Sequence, residues 1–189
     1  MIVNWLLFTA LMGLMAYAVL RNSVYMTMDW KPEQSYLYLA GIAGIAGLAW
    51  LFIVSEVPGN KRRTLFLAGV VSACTAVAIA SSGSLKYGLL SGTVASAMGG
   101  AFLAAVIFRR SGNNVGWATP VIALTTLMLI VSHFFAELQP IHAGLLIASW
   151  LLVGLRPSSG WFVGILSLLP GLIAAGWAAM EAAKQAGAG

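Results

Sequence analysis

Long runs of apolar residues, separated by short polar segments, dominate the chain. A helix that crosses a membrane needs about 20 mostly apolar residues, and seven stretches of the sequence meet or approach that length. These stretches are residues 2–20, 36–54, 65–80, 85–108, 117–138, 141–155 and 161–180. The pattern predicts one all-α domain over residues 1–189, a polytopic transmembrane helical bundle of seven spans with short loops and no soluble domain.

The stretch 141–155 is the shortest of the seven, and 65–80 is only slightly longer. At the rise of an α-helix, residues 141–155 cover about 22 Å, whereas the hydrocarbon core of a bilayer is about 30 Å thick. The sixth stretch therefore either extends into its flanks or forms a re-entrant hairpin with the fifth, because non-helical backbone at that depth must be surrounded by protein or water. The second alternative leaves six spans.

Composition favours the same class of protein. The chain is 60% hydrophobic and only 8% charged, whereas soluble domains contain about 25% charged residues. Intrinsic disorder is excluded because disorder requires low hydrophobicity. Cys74 is the only cysteine, which excludes an intrachain disulfide framework.

Basic residues in the connecting segments predict an orientation. The second, fourth and sixth connections hold Lys61, Arg62, Arg63, Arg109, Arg110 and Arg156, and the opposite side holds Arg21, Lys31, Lys86 and Lys184. Cytoplasmic loops are enriched in Lys and Arg, so we expect a cytoplasmic N-terminus and, with seven spans, a C-terminus outside a bacterial-type cytoplasmic membrane. The N-terminus lacks a basic region and a small-residue cleavage site, which predicts that the first span is retained.

Two spans contain rows of small residues. In the second span they recur every three residues, and in the fourth every four. These residues are Gly41, Gly44 and Gly47, then Gly88, Gly92, Ser96 and Gly100. Small residues let membrane helices approach closely. The rows therefore indicate either packing within the chain or a face for a second copy or another subunit, and the spacing fits both.

Tryptophan recurs near the ends of the spans. The residues concerned are Trp5, Trp50, Trp117, Trp161 and Trp177. Because the amphipathic indole ring favours the membrane–water interface, we interpret these tryptophans as interfacial anchors.

Pro170 lies near the middle of the seventh span. Proline removes one backbone hydrogen bond and bends a helix. It is expected either to shape the helix only or to act as a hinge or pocket wall.

His133, Glu137 and His142 form the one polar constellation within the spans. His133 and Glu137 are four residues apart and are expected on one face of the fifth span. The segment Gln139–Pro140 ends that helix, and a tight turn would return His142 towards the other two. We therefore expect the three side chains to converge at the non-cytoplasmic end of the fifth and sixth spans.

Three interpretations of this constellation remain open. The residues cap helix ends and tie the hairpin together, they hold a divalent metal or haem, or they handle protons or cations. Imidazole and carboxylate groups are common metal ligands, but the spacing is not that of HExxH. Ionisable residues inside a membrane are costly and often mark a pathway.

Sparse polar chemistry, small-residue faces and short loops favour a non-catalytic membrane subunit or scaffold of a larger complex. A carrier of a small solute, ion or proton that uses His133, Glu137 and His142 is the second hypothesis, and a metal- or haem-dependent membrane enzyme is the third.

The expected partners are the lipid bilayer and other membrane subunits or a second copy. The net charge of +5 is explained by basic loops near lipid headgroups, and with no nucleic-acid-binding motif or basic domain, nucleic acid is not an expected partner.

Overall fold

The computed structural model describes residues 1–108, 116–154 and 161–187, except for the side chains of residues 29, 56–61 and 161. Within these ranges every regular element is helical, which confirms the predicted all-α class. The helices are α1 (Ile2–Leu20), α2 (Pro32–Ser81), α3 (Leu85–Ile107), α4 (Ala118–Phe135), α5 (Pro140–Gly154), α6 (Trp161–Leu166) and α7 (Leu169–Gly187), with a π-helical turn at Tyr25–Asp29. The basic residues Arg109, Arg110 and Arg156 lie outside the described residues.

Six segments of the described chain are long and apolar enough to cross a membrane. They are Ile2–Leu20, Pro32–Ser55, Arg62–Ser81, Leu85–Ile107, Ala118–Phe135 and Phe162–Gly187. The predicted stretch 141–155 also forms a helix, α5, but its 15 residues fall short of that length.

Helix α2 contains two of these segments, Pro32–Ser55 (the first arm) and Arg62–Ser81 (the second arm). A straight helix of 50 residues would be about 75 Å long. Yet Tyr38 lines a cleft with Ala143, and Ser81 lines a cavity with the adjacent His142. Both ends of α2 therefore meet the start of α5, so the chain reverses direction between the arms. The backbone there is helical, although Pro58 predicts a break.

Glycines permit close contact between the two arms and the surrounding helices. A Cβ atom built on Gly88 of α3 would lie 2.6 Å from the Cβ of Ala80. A Cβ atom on Gly154 of α5 would overlap Phe52, and one on Gly164 of α6 would lie 3.1 Å from Leu67. Such crossings are typical of membrane bundles, in which small residues bring backbones together.

Trp50 is a core residue, so its interpretation as an interfacial anchor is wrong. It is only 7% exposed, and its ring stacks on Phe8 with 5.5 Å between centroids. Its Nε1 donates a hydrogen bond to Thr119 Oγ1 over 2.9 Å. A buried indole needs such a partner, and the threonine supplies it from α4. The Trp161 side chain lies outside the described residues.

The predicted seventh span is interrupted just before Pro170. Helix α6 ends at Leu166 and α7 begins at Leu169, which places Pro170 in the first turn of α7. Proline is tolerated there because the first turn of a helix has no intrahelical acceptors for its N–H groups. The Gly171 N–H in the same turn donates to Ser149 Oγ of α5 over 2.6 Å, so a neighbouring helix satisfies this buried backbone group.

Replacement of Gly88 by alanine should destabilise the protein. The added methyl group would meet both side-chain and backbone atoms of Ala80 within 2.9 Å, and overpacking of this kind costs about 1–3 kcal/mol. The matched variant Gly92→Ala meets open space and should gain up to about 1 kcal/mol in helix propensity. Chemical denaturation in detergent measures both, and equal stabilities would contradict the assigned contact.

Candidate functional site

His133 lies near the end of α4 and ties down the connection to α5. Its Nδ1 lies 2.8 Å from the carbonyl oxygen of Leu138. Because a carbonyl oxygen only accepts, Nδ1 is the donor, and Nε2 of the neutral ring is left with a lone pair. The Leu138 N–H donates to the Ser132 carbonyl over 3.0 Å, so Leu138 is fixed from two sides.

Glu137 occupies an unusual backbone conformation immediately after α4. Its φ is +58°, and it is the only non-glycine residue with positive φ among those described. Helices often end with one residue in this left-handed region, usually glycine or asparagine. A residue with a Cβ atom is strained there, yet the chain places an exposed carboxylate at this position.

His142 lies in the first turn of α5 and is 2% exposed. Its ring packs edge-on against Trp177 of α7, with 5.5 Å between centroids. Its Nε2 is buried and has no hydrogen-bond partner among the described residues. A buried polar atom without a partner costs free energy, so this imidazole is the least satisfied group of the constellation.

A polar cavity of about 340 Å³ lies where α2, α5 and α7 meet at one end of the bundle. Its wall is formed by Ser81, Ser82, Gly83, Glu137, Gln139, His142, Ala178, Glu181, Ala182 and Gln185. Two of the five acidic residues of the chain, Glu137 and Glu181, therefore share one cavity.

Glu181 is held in place by two hydrogen bonds. Trp177 Nε1 donates to its Oε1 over 2.8 Å, and Gln139 Nε2 donates to its Oε2 over 3.1 Å. The first bond links residues four apart on α7, and the second joins α7 to the α4–α5 connection. Glu181 is not among the site residues predicted from the sequence. The available signal was a tryptophan one helical turn before an acidic residue.

The three predicted site residues do not all line one cavity. Glu137 and His142 line the polar cavity, whereas His133 lines a separate cleft. No group of three or more His, Cys, Asp or Glu side chains in the described part of the chain has an arrangement that could hold a metal ion. The geometry therefore gives the metal interpretation no support there.

The cleft beside His133 is apolar and has a volume of about 220 Å³. It lies between the first arm of α2, α4 and α5. Its walls are mainly apolar, and the side chains that carry a polar atom are Tyr38, Thr125, Thr126, His133 and Trp150. Such a cleft offers room for an apolar group. His133 lies near the end of α4, next to the connection that contributes Glu137 and Gln139 to the polar cavity.

The rows of small residues divide into two groups. Gly47 and Gly88 pack closely against other helices, Gly47 against Thr9 and Trp5 of α1 and Gly88 against Ala80. At Gly41, Gly44, Gly92 and Gly100 an added Cβ atom would meet no described atom within 4 Å. Ser96 is exposed, so most of the α3 row points away from the bundle.

No protein-family model matches the chain, and neither a curated protein nor a solved structure is significantly similar to it.

Replacement of Glu137 by glycine should stabilise the protein. Glycine removes the left-handed strain of roughly 1–2 kcal/mol but increases the entropy of the unfolded chain, which leaves a net gain of about 0.5–1 kcal/mol. Glu137→Ala removes the same carboxylate and keeps the strain, so it should bring no such gain. Unfolding of both variants in detergent is the measurement. A gain for alanine as large as that for glycine would assign the effect to the charge instead of the backbone.

Proposed function

We propose that the chain is a non-catalytic integral membrane subunit that docks against a helix of another membrane protein through the outward face of α3. The supporting observation is the open space beside Gly92 and Gly100, with Ser96 exposed between them. Small residues at intervals of four are a common interface for membrane helices.

The helix geometry explains why this row leaves the bundle. Each step of four residues advances about 40° around an α-helix, so a row that begins at the buried Gly88 faces outwards by Gly100. The residues of α3 that stay buried against the bundle are Gly88, Ser91, Met98 and Ala105. From Ser91 onwards they recur every seven residues, the spacing of a helix–helix seam.

The outward face has a shape that suits a partner helix. Leu89 and Leu103 are 64% and 58% exposed, and each lies within about 20° of Ser96 around the helix axis. Large side chains therefore flank a stretch of small ones. A partner helix can approach the backbone at Ser96 while its own side chains pack between the two leucines.

We also propose that α5 is a seventh span. His142 near its start lies beside Ser81 and Ser82 at the end of the second arm, and Gly154 at its end lies against Phe52 and Ile53 near the end of the first arm. The helix thus runs beside α2 for nearly the depth of an arm. A short span of this kind is accommodated by local thinning of the bilayer or by neighbouring helices.

Seven spans would place the two termini on opposite sides, with the N-terminus and the Arg62–Arg63 end in the cytoplasm. Arg63 lies beside Gly164 of α6, at the opposite end of the second arm from Ser81 and the polar cavity. This arrangement agrees with the excess of basic residues in the even-numbered connections.

Leucine at Ser96 should abolish assembly without unfolding the chain, because added bulk blocks a close helix contact while the site faces open space. Native electrophoresis of complexes extracted in mild detergent should show a species heavier than the 19.8 kDa chain for the wild type and its loss for Ser96→Leu. The matched control is Ala101→Leu, because Ala101 is also exposed on α3 but about 140° away around the axis.

A complex whose mass is a whole multiple of the chain mass would identify the partner as further copies of the chain, and any other mass would indicate a different subunit. A wild-type chain that runs as a monomer, or a Ser96→Leu variant that still assembles, would contradict the proposal.

Cysteine labelling in a Cys74→Ala background should distinguish seven spans from six. Asn4 and Lys184 are exposed near the two ends of the chain. With seven spans, a membrane-impermeant maleimide added to intact cells should label Lys184→Cys and not Asn4→Cys, and permeabilisation should expose both. Equal labelling of both positions before permeabilisation would indicate an even number of spans.

A further inference from the structure

We propose that the polar cavity bounded by Glu137, His142 and Glu181 binds a small primary ammonium ion. The proposal concerns a site distinct from the outward face of α3 and does not depend on docking there. It follows from the charge of the cavity, the hydrogen-bonding capacity of its wall and its volume.

The charged residues of the wall favour a cation. Glu137 and Glu181 are carboxylates, and no lysine or arginine contributes to the wall. The Glu181 carboxylate is oriented by Trp177 and Gln139. Glu137 makes no hydrogen bond or ion pair with another described residue, and its left-handed backbone holds it beside the cavity at a cost in free energy.

The wall is also rich in hydrogen-bond acceptors. Ser82 Oγ already donates its hydrogen to the Ile79 carbonyl over 2.8 Å, so its lone pairs face any ligand as acceptors. Gln139 uses its amide nitrogen on Glu181, which leaves its oxygen to accept. The matching ligand therefore carries positive charge together with several N–H donors, as a primary ammonium group does.

His142 provides an independent observation in favour of a ligand at this site. Its side chain forms part of the cavity wall, is 2% exposed and has an Nε2 without a partner. A neutral imidazole nitrogen with a free lone pair accepts a hydrogen bond. An N–H donor in the cavity would recover the free energy that this unpaired nitrogen costs.

The volume and the wall chemistry favour an organic ion over a bare metal ion. A cavity of about 340 Å³ is far larger than the roughly 10–15 Å³ that a single water molecule requires, so it has room for an organic ion. The described residues offer no group of three ligands with metal-binding geometry. Ala178 and Ala182 provide an apolar wall against which a short alkyl chain can pack.

Isothermal titration of the full chain in detergent with ethylammonium chloride tests the proposal. Tetramethylammonium chloride is the matched probe, because it carries the same charge and no N–H donor. We expect ethylammonium to bind and tetramethylammonium to bind at least tenfold more weakly. The variants Glu137→Gln and Glu181→Gln should each raise the Kd for ethylammonium at least tenfold.

Control variants separate this site from general charge effects and from the docking face. Glu33→Gln removes an exposed carboxylate in the first turn of α2 and should leave the Kd unchanged. Ser96→Leu should also leave it unchanged, so failure of the docking proposal and failure of this one are distinguishable.

The proposal would be overturned by no binding of ethylammonium to the wild type, by equal binding of tetramethylammonium, or by an unchanged Kd in both glutamine variants. Competition with magnesium chloride completes the test. If Mg²⁺ displaces bound ethylammonium at a concentration below the Kd for ethylammonium, the cavity is a site for an inorganic cation instead. Because Glu137 is exposed, the Glu137→Gln variant is expected to fold. A weaker affinity in this variant therefore reports on the site and not on unfolding.

Discussion

Close contact between helices at glycines is the interaction on which the bundle depends. Helix α1 meets the first arm of α2 at Gly47, α3 meets the second arm at Gly88, α5 meets the first arm at Gly154, and α6 meets the second arm at Gly164. Between helices in lipid the hydrophobic effect supplies little attraction, because hydrocarbon surrounds them already. Dispersion contacts at short distance must supply the attraction instead. Because α2 reverses direction, it offers two arms instead of one long helix, and the other helices pack against both arms.

The apolar runs were sufficient to predict the helices but not the seams between them. Residues 85–108 were predicted as a span, and α3 covers Leu85–Ile107. The row Gly88, Gly92, Ser96 and Gly100 belongs to one sequence pattern, yet only Gly88 packs closely inside the chain. A spacing of four drifts around the helix whereas a spacing of seven nearly does not, so a seam is better sought at Ser91, Met98 and Ala105. Which side of α3 meets α2 is a tertiary property that a single helix pattern does not contain.

The candidate site could be predicted only in part, for a physical reason that lies in one residue. The spacing of His133 and Glu137 implies a shared helix face only if the helix continues to residue 137. Helix α4 ends at Phe135, and Glu137 turns into the left-handed region, which sends its carboxylate to a different cavity from His133. Glu181 joins the site from α7, more than 40 residues further along the chain, and no local pattern indicates such a neighbour. That Glu137 and His142 line the same cavity could be predicted, because a short connection keeps sequence neighbours close in space.

His133 contributes to the polar cavity without lining it. Its hydrogen bond to the Leu138 carbonyl, together with the Leu138 N–H bond to Ser132, fixes the residue that follows Glu137. A strained backbone persists only where its surroundings over-determine it, and these two bonds supply that restraint. Gln139 then extends from the same short connection to Glu181. The imidazole at the edge of the apolar cleft is thereby linked to Glu137 through the backbone of Leu138, and to Glu181 through the side chain of Gln139.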